Sequence, residues 1–139
     1  MKKIILDTNF LMIPLQFKVD IFSEFERICN FNYKLCIYRN SINELNGIIK
    51  KQPQKNRKAA EFALKLIKAK KIKILDSNEG YVDSLILENL GKDTIVATQD
   101  ANLKREILKK NAPVIILRQK KYLQLINWSC TDFSLNTKI

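Results

Sequence analysis

Two aspartates stand where an α/β protein keeps the groups that bind its ligands. Asp7 comes directly after an apolar run, Ile4-Ile5-Leu6, and Asp100 comes two residues after a second run, Thr94–Thr98. Open parallel sheets place their sites beyond the carboxyl ends of the strands, where the chain connections diverge. If both runs are strands of one such sheet, the two carboxylates share one edge of it although they are far apart in sequence.

Two further acids, Glu44 and Asp83, lie in helix-like segments and complete a candidate set of four. Clustered carboxylates repel one another and raise each other's pKa unless a cation neutralises them. An all-oxygen set without histidine or thiolate selects a hard ion, Mg²⁺ or Mn²⁺. Without these four, 10 of the 14 acidic residues remain against 25 basic ones. The pattern therefore predicts a negative pocket in a basic surface.

Each acid also has a purely structural alternative. Asp7 and Asp100 both precede helix-like segments, and capping a helix is a common role for Asp. Glu44 follows Ser41 by three residues, which is the spacing of a capping box, and Asp83 is favoured in a first helical turn by the helix dipole. No acid identifies a site when taken singly, so the hypothesis rests on the set.

The composition excludes several other chemistries. The chain has no histidine, so it has neither a Ser-His-Asp or Cys-His site nor a His-ligated zinc. Cys29, Cys36 and Cys130 are odd in number and lack C-x-x-C spacing, so we expect free thiols in a reducing cytoplasm rather than disulfides or a zinc site. Hydrolysis would have to use carboxylates, lysines, hydroxyls or a water activated by a metal.

The basic excess indicates a polyanionic partner. The formal charge is +11, which favours RNA or DNA over anionic lipid; a lysine-rich solubilising surface is the alternative. We see neither a signal peptide nor a membrane-spanning run. One basic cluster surrounds Pro53 and could follow a phosphate backbone: Lys50, Lys51, Lys55, Arg57 and Lys58. A second cluster, which fits a solvated helix face slightly better, comprises Lys104, Arg105, Lys109 and Lys110.

The elements that must position these residues alternate between short apolar runs and helical patterns, as in βαβ units. The 139 residues suit one domain, assigned to residues 1–127, with a tail over 128–139 that packs back on it or contacts a partner. The fold class is α/β, with a mainly parallel five-stranded sheet covered by helices on both faces. The predicted strands are 3–6, 34–38, 72–75, 94–98 and 113–117.

In this order and at this spacing, the motifs around the four acids resemble those of the PIN-domain nucleases. The resemblance runs from Ile4 to about Leu125 and is carried by four short motifs: Leu6-Asp7-Thr8-Asn9, Asn43-Glu44-Leu45 with Ile48, Val82-Asp83-Ser84-Leu85-Ile86, and Ala97-Thr98-Gln99-Asp100-Ala101-Asn102-Leu103-Lys104. Each motif is weak alone, but the ordered set is fairly specific.

The resemblance implies an α/β/α sandwich and a Mg²⁺- or Mn²⁺-dependent endoribonuclease acting on single-stranded RNA. By position, it assigns metal binding and catalysis to Asp7, Glu44, Asp83 and Asp100. It assigns supporting hydrogen bonds to Thr8, Asn9 and Thr98. Asn102 stands where many members carry a further acid, which leaves the occupancy of a second metal open.

The last third, from Ile95 to Ile116, looks similar to archaeal and eukaryotic PIN proteins related to the nuclease that matures small-subunit ribosomal RNA. The VapC toxins share the same acids, and such a toxin would have an antitoxin partner. A non-catalytic RNA-binding scaffold with this fold is the third alternative. PIN domains are often dimers, so a homodimer is also an expectation from the resemblance.

Overall fold

The computed structural model describes residues 1–51 and 53–126. Within them the chain forms a sheet flanked by helices. The strands are Lys2–Leu6 (β1), Tyr33–Tyr38 (β2), Lys73–Leu75 (β3), Thr94–Ala97 (β4), Val114–Arg118 (β5) and Tyr122–Ile126 (β6). The α-helices are Ile13–Phe17 (α1), Ile21–Ile28 (α2), Arg39–Lys51 (α3), Gln54–Ala69 (α4), Val82–Glu88 (α5) and Ala101–Lys109 (α6). A 3₁₀ helix over Thr8–Met12 precedes α1.

The sheet has the strand order β3-β2-β1-β4-β5-β6. The first five strands pair in parallel, and β6 pairs antiparallel with β5. Connections from β1 lead towards β2 on one side, whereas β4 and β5 lie on the other side. The point of divergence is therefore between β1 and β4, and ligands of open α/β sheets bind at such a point.

Helices cover both faces of the sheet, as expected for an α/β/α sandwich. On one face, side chains of alternate strand positions such as Ile4 and Leu6 pack with residues of α1 to α4. On the other face, Ile5 and Val96 pack with residues of α5 and α6. Because successive side chains of a strand point to opposite faces, one apolar run supplies both cores.

The predicted five-stranded sheet was wrong in its number of strands. All five predicted strands are present, with ends that differ by at most one residue, but Tyr122–Ile126 adds a sixth at the edge. The connection between β5 and β6 is Gln119-Lys120-Lys121, and Gln119 and Lys120 have positive φ. It lacks the Asn-Gly or Asp-Gly pair that marks such hairpins, so the hairpin could not be predicted from the local sequence. The predicted tail over 128–139 lies outside the described residues.

Helix α2 covers the outer edge of β6. The Glu24 carboxylate accepts the backbone N–H of Leu123 at 2.9 Å, and Arg27 donates to the Leu123 carbonyl at 2.9 Å. Arg27 also donates to Glu24 at 2.9 Å. Edge strands expose unpaired backbone groups that promote association. Glu24 and Arg27 satisfy those of Leu123 within the fold.

We expect Glu24→Ala to lower the free energy of unfolding by about 2 kcal/mol, because it removes a charged acceptor from a partly buried N–H. The hydrogen bond from Arg27 holds the pKa of Glu24 below its ordinary value. The stabilisation is therefore present above the ordinary Glu pKa and is lost as the pH falls through the lowered one. Urea unfolding from pH 3 to 7 measures it. Exposed Glu26 supplies the matched control, and equal losses in both variants would contradict the assignment.

None of the helices within residues 1–51 and 53–126 is long and apolar enough to cross a membrane.

Candidate active site

The divergence point brings the two strand-end aspartates together. Leu6 of β1 is in register with Ala97 of β4, and the Asp7 N–H donates to the Ala97 carbonyl at 2.9 Å. Asp7 therefore continues the ladder just beyond β1, beside Thr98. The expectation that Asp7 and Asp100 share one edge of the sheet is confirmed.

Asp7 is the buried acid of the group, with 8% of its surface exposed. The Thr98 hydroxyl donates to its Oδ2 at 2.8 Å, and the Thr8 N–H donates to its Oδ1 at 2.9 Å. Loss of water around the carboxylate raises the pKa of Asp7, and the charges of Glu44 and Asp100 add to this. The two hydrogen bonds oppose the rise without cancelling it. A cation beside Asp7 would therefore be stabilising.

Thr98 links Asp7 to Asp100. The Thr98 side chain is fully buried. Its hydroxyl oxygen accepts the Asp100 N–H at 3.0 Å, and the hydroxyl donates a hydrogen bond to Asp7. Asp100 in turn caps α6, since its Oδ1 accepts the N–H groups of Asn102 at 2.8 Å and Leu103 at 3.2 Å. The capping alternative for Asp100 is correct, and it is compatible with a site, because the cap fixes the carboxylate at the edge of the sheet.

Glu44 reaches the group from α3. The Thr8 hydroxyl lies 2.6 Å from Glu44 Oε1 and 2.8 Å from Ser41 Oγ. Thr8 has one hydroxyl proton, which the carboxylate attracts more strongly, so Ser41 donates to Thr8. The predicted capping box was wrong, because α3 begins at Arg39 and places Ser41 inside its first turn. Buried Ser41 instead supports Thr8 from the same helix face as Glu44.

The fourth acid, Asp83, comes two residues after Tyr81, a residue of the same cleft as Glu44. It lies in the first turn of α5, is exposed, and its Oδ1 accepts the N–H of Ser84 at 2.9 Å. It is not among the charges that raise the pKa of Asp7. Within the described part of the chain, no three acidic or cysteine side chains are arranged to hold a metal directly. The structure thus groups Asp7, Glu44 and Asp100, and the site role of Asp83 stays a prediction.

The expected supporting residues fall into two groups. Thr8 and Thr98 contact the acids directly. Asn9 is exposed, and its carbonyl accepts the side-chain amide of Gln99 at 3.0 Å. Asn102 gives its backbone N–H to Asp100, whereas its side-chain oxygen accepts from Arg105. The sequence reasoning gave no role to Gln99, whose contact with Asn9 spans 90 residues and leaves no local signal.

Three open clefts are lined by Glu44, by Asp100 or by residues next to the acids in sequence. Asn9, Gln99 and Asn56 of α4 line one cleft of about 430 Å³. Gln99 also lines a second cleft of about 480 Å³, which is bordered by Asp100. Glu44 opens onto a third, of about 540 Å³, beside the exposed ring of Tyr81. A ligand near the carboxylates therefore has open clefts beside Asp100 and beside Glu44.

Comparison with known proteins agrees with this architecture. The family described as a PIN like domain matches residues 4–120, so the chain belongs to the PIN-like domain family. Ribonuclease VapC4 of Methanocaldococcus jannaschii is 35% identical over 128 residues, which cover 90% of this chain and 97% of that protein. The solved structure of the PIN domain endonuclease Utp24 is similar with a TM-score of 0.74 and 25% identity, covering 90% of this chain and 91% of that one.

The predicted family and the α/β/α fold are therefore confirmed, and so is the likeness to both branches of the family. The coarse class that follows is a nuclease of the PIN type.

Proposed function

We propose that this protein is a metal-dependent endoribonuclease that hydrolyses phosphodiester bonds of single-stranded RNA. The observation that carries the proposal is the meeting of Asp7, Glu44 and Asp100 around the hydroxyls of Thr8 and Thr98. A buried carboxylate beside two like charges is costly in a purely structural role. Its presence at the sheet's divergence point fits a site that binds a cation.

The donor chemistry fits Mg²⁺ or Mn²⁺. Asp7, Glu44 and Asp100 offer only oxygen ligands, which hard ions prefer, and Mg²⁺ retains several of its waters. These acids are not arranged to coordinate an ion directly, so they would bind the ion through its own waters. We propose Asp7 and Asp100 as the principal ligands, with Glu44 and Asp83 completing the shell through water or serving a second ion. When bound, the ion supplies a water of lowered pKa as nucleophile.

The chain's own residues hold the acids ready for this role. Thr98 and the Thr8 N–H fix both oxygens of Asp7, and the α6 cap fixes Asp100. The Thr8 hydroxyl orients Glu44. Because each carboxylate is restrained by at least one hydrogen bond, little reorganisation is needed when an ion and the phosphodiester bind.

RNA is the substrate favoured by the charge and by the ribonuclease relative. The cluster around Pro53, defined above, spans the end of α3 and the start of α4. Its residues Lys55 and Arg57 flank Asn56, which lines the cleft shared with Asn9 and Gln99. We propose that the cluster attracts the phosphate backbone and guides single-stranded or structured RNA towards the acids.

Two biological roles are compatible with this chemistry, and both place the protein in the cytoplasm. Ribosomal RNA processing rests on the resemblance of residues 95–116 to that branch. A toxin role, with an antitoxin partner, is favoured by the identity to ribonuclease VapC4. Expression in a bacterial host separates them: a toxin arrests growth unless its antitoxin is present, whereas a processing enzyme leaves growth intact.

The decisive experiment measures cleavage of a fluorescent single-stranded RNA with Mg²⁺, with Mn²⁺ and with EDTA. We expect cleavage with either ion and none in EDTA. Asp100→Asn should lower kcat/KM by about 100-fold or more, since a lost ligand costs at least as much as a lost supporting residue. Asn caps helices as well as Asp, so folding is preserved.

Asp93→Asn is the matched control, because Asp93 is exposed just before β4 at the opposite edge of the sheet. Equal cleavage in EDTA would refute metal dependence. A wild-type protein that binds RNA but never cuts it with any divalent ion would favour the non-catalytic scaffold.

A further inference from the structure

The second cleft, which Asp100 borders, is lined by more basic than acidic side chains. Its floor is formed by Thr98, Gln99 and Asp100 at the end of β4. Its far wall is formed by the end of β5 and the hairpin turn that follows, with Arg118 and Lys120. The cleft therefore joins Asp100 to the connection between β5 and β6, and its lining includes none of the cluster around Pro53.

Three cationic side chains face one carboxylate in this cleft. Lys104 comes from α6, one turn after Asp100, and is half-buried. Arg118 donates through Nε to Gln124 at 2.7 Å, which orients its guanidinium at the rim. Lys120 lies with its Nζ 5.8 Å from the centre of the Phe17 ring. With Asp100 as the opposing charge, the cleft retains a net positive charge of two.

The remaining wall is apolar. It is lined by Phe17 of α1 and by Ile116 and Leu117 of β5. A volume of about 480 Å³ falls in the range of small-molecule sites. A pocket that combines an aromatic face with cations matches a nucleotide, whose base stacks on aromatic rings and whose phosphate seeks positive charge.

The hairpin turn holds its two side chains at a conformational cost. Gln119 and Lys120 have φ values of 53° and 55°, and the turn is closed by the Lys121 N–H on the Arg118 carbonyl at 2.9 Å. A left-handed conformation costs a residue other than glycine about 1–2 kcal/mol. Asn-Gly would form this turn more readily. A lysine in this strained position beside the cleft is consistent with a functional role.

We propose that this cleft binds one nucleotide of single-stranded RNA, immediately flanking the phosphodiester that is cut. Its phosphate contacts Arg118, Lys120 and Lys104, and its base packs on Phe17. The inference rests on the proposed ribonuclease function and adds to it a second RNA contact, formed by residues outside the Pro53 cluster. RNA would then pass across Gln99, which lines the clefts on both sides.

The test replaces two cations of the cleft and compares them with two elsewhere. The variant is Arg118→Gln with Lys120→Gln. The control is Lys92→Gln with Lys110→Gln, which makes the same charge change before β4 and after α6, at the opposite edge of the sheet. Binding of a fluorescent eight-nucleotide RNA is measured by anisotropy in EDTA over a range of salt, so the readout does not depend on cleavage.

We expect the cleft variant to bind about tenfold more weakly at low salt. Its slope of log K against log salt should be shallower by about 0.7, since each neutralised phosphate of single-stranded RNA contributes about 0.7. The control should keep the wild-type slope. In a second measurement with Mn²⁺, Phe17→Leu should lose the gain in kcat/KM that one added flanking nucleotide gives the wild type, whereas the control variant should keep that gain.

The outcomes separate this inference from the proposed function. Equal binding by the cleft variant and the control would overturn the inference even if the wild type cuts RNA, as would a wild type that binds no RNA. A wild type that binds through the cleft without cutting would overturn the proposed function and leave the inference standing. Circular dichroism and Tm show whether each variant is folded.

Discussion

Replacing Asp7 with Asn is expected to abolish RNA cleavage while making the metal-free protein more stable. The loss of kcat/KM should be about 1,000-fold or more, because Asp7 is the buried acid of the group and feels the charges of both Glu44 and Asp100. The gain in stability follows from removing a charge that burial and repulsion both disfavour. Function and stability are thus expected to oppose each other at this residue.

The pH dependence of folding stability provides a second test of the same prediction. Burial raises the pKa of Asp7 above the ordinary value of 3.8, so the folded state binds the proton more tightly than the unfolded state. Wild-type stability should therefore fall as the pH rises from the ordinary pKa through the raised one, and the penalty persists at higher pH. Asp7→Asn lacks this ionisation, so its advantage should grow across that window.

Thermal unfolding in EDTA and in Mn²⁺ measures both effects. Without metal, Asp7→Asn should have the higher Tm at pH 7, and added Mn²⁺ should raise the Tm of the wild type more than that of the variant, since only a bound ion stabilises by mass action. Asp93→Asn is the control and should follow the wild type. A metal-free wild type more stable than Asp7→Asn at neutral pH would contradict the electrostatic account.

The second large effect is expected from Thr98→Val, which preserves shape and removes one hydroxyl. Asp7 would lose a donor and the Asp100 N–H would lose its acceptor. An unsatisfied buried polar group costs about 1–3 kcal/mol, so we expect the free energy of unfolding to drop by about 3 kcal/mol. Because Thr98 positions both acids, kcat/KM should also fall by about 10- to 100-fold.

Two variants show whether the loss of activity comes from the hydroxyl. Thr98→Ser retains it and should recover most of the cleavage. Thr94→Val removes a buried hydroxyl from the first residue of the same strand, where it accepts the Gly91 N–H at 3.2 Å. That variant should lose stability but keep kcat. If Thr98→Val cut RNA at the wild-type rate, Thr98 would have no positioning role.

The local pattern of the sequence was sufficient for the core architecture. Apolar runs such as Ile4-Ile5-Leu6 predict buried strands, and the rule for strand ends then places Asp7 and Asp100 at one edge. Both steps depend on periodicity and on the handed, short connections of α/β folds. This is why the parallel strands were found to within one residue, whereas β6 was missed for want of a turn signal.

The assembly of the site depended on contacts between residues distant in the chain. Ser41 lies 33 residues from Thr8 and became its hydrogen-bond partner rather than a cap, and Gln99 reaches Asn9 across 90 residues. Such pairings follow from how helices pack on the sheet, which a one-dimensional pattern does not encode.

Asp7 and Asp100 show which properties of the site follow from the sequence and which follow from the fold. Residue type and position after a strand were enough to single out Asp7 and Asp100 and the hard-ion chemistry they favour. The distinct character of Asp7 came only from its surroundings in the fold: burial, the Thr98 hydroxyl and the charges of Glu44 and Asp100. Desolvation and Coulomb energies depend on distances in space, so they appear only once the chain has folded.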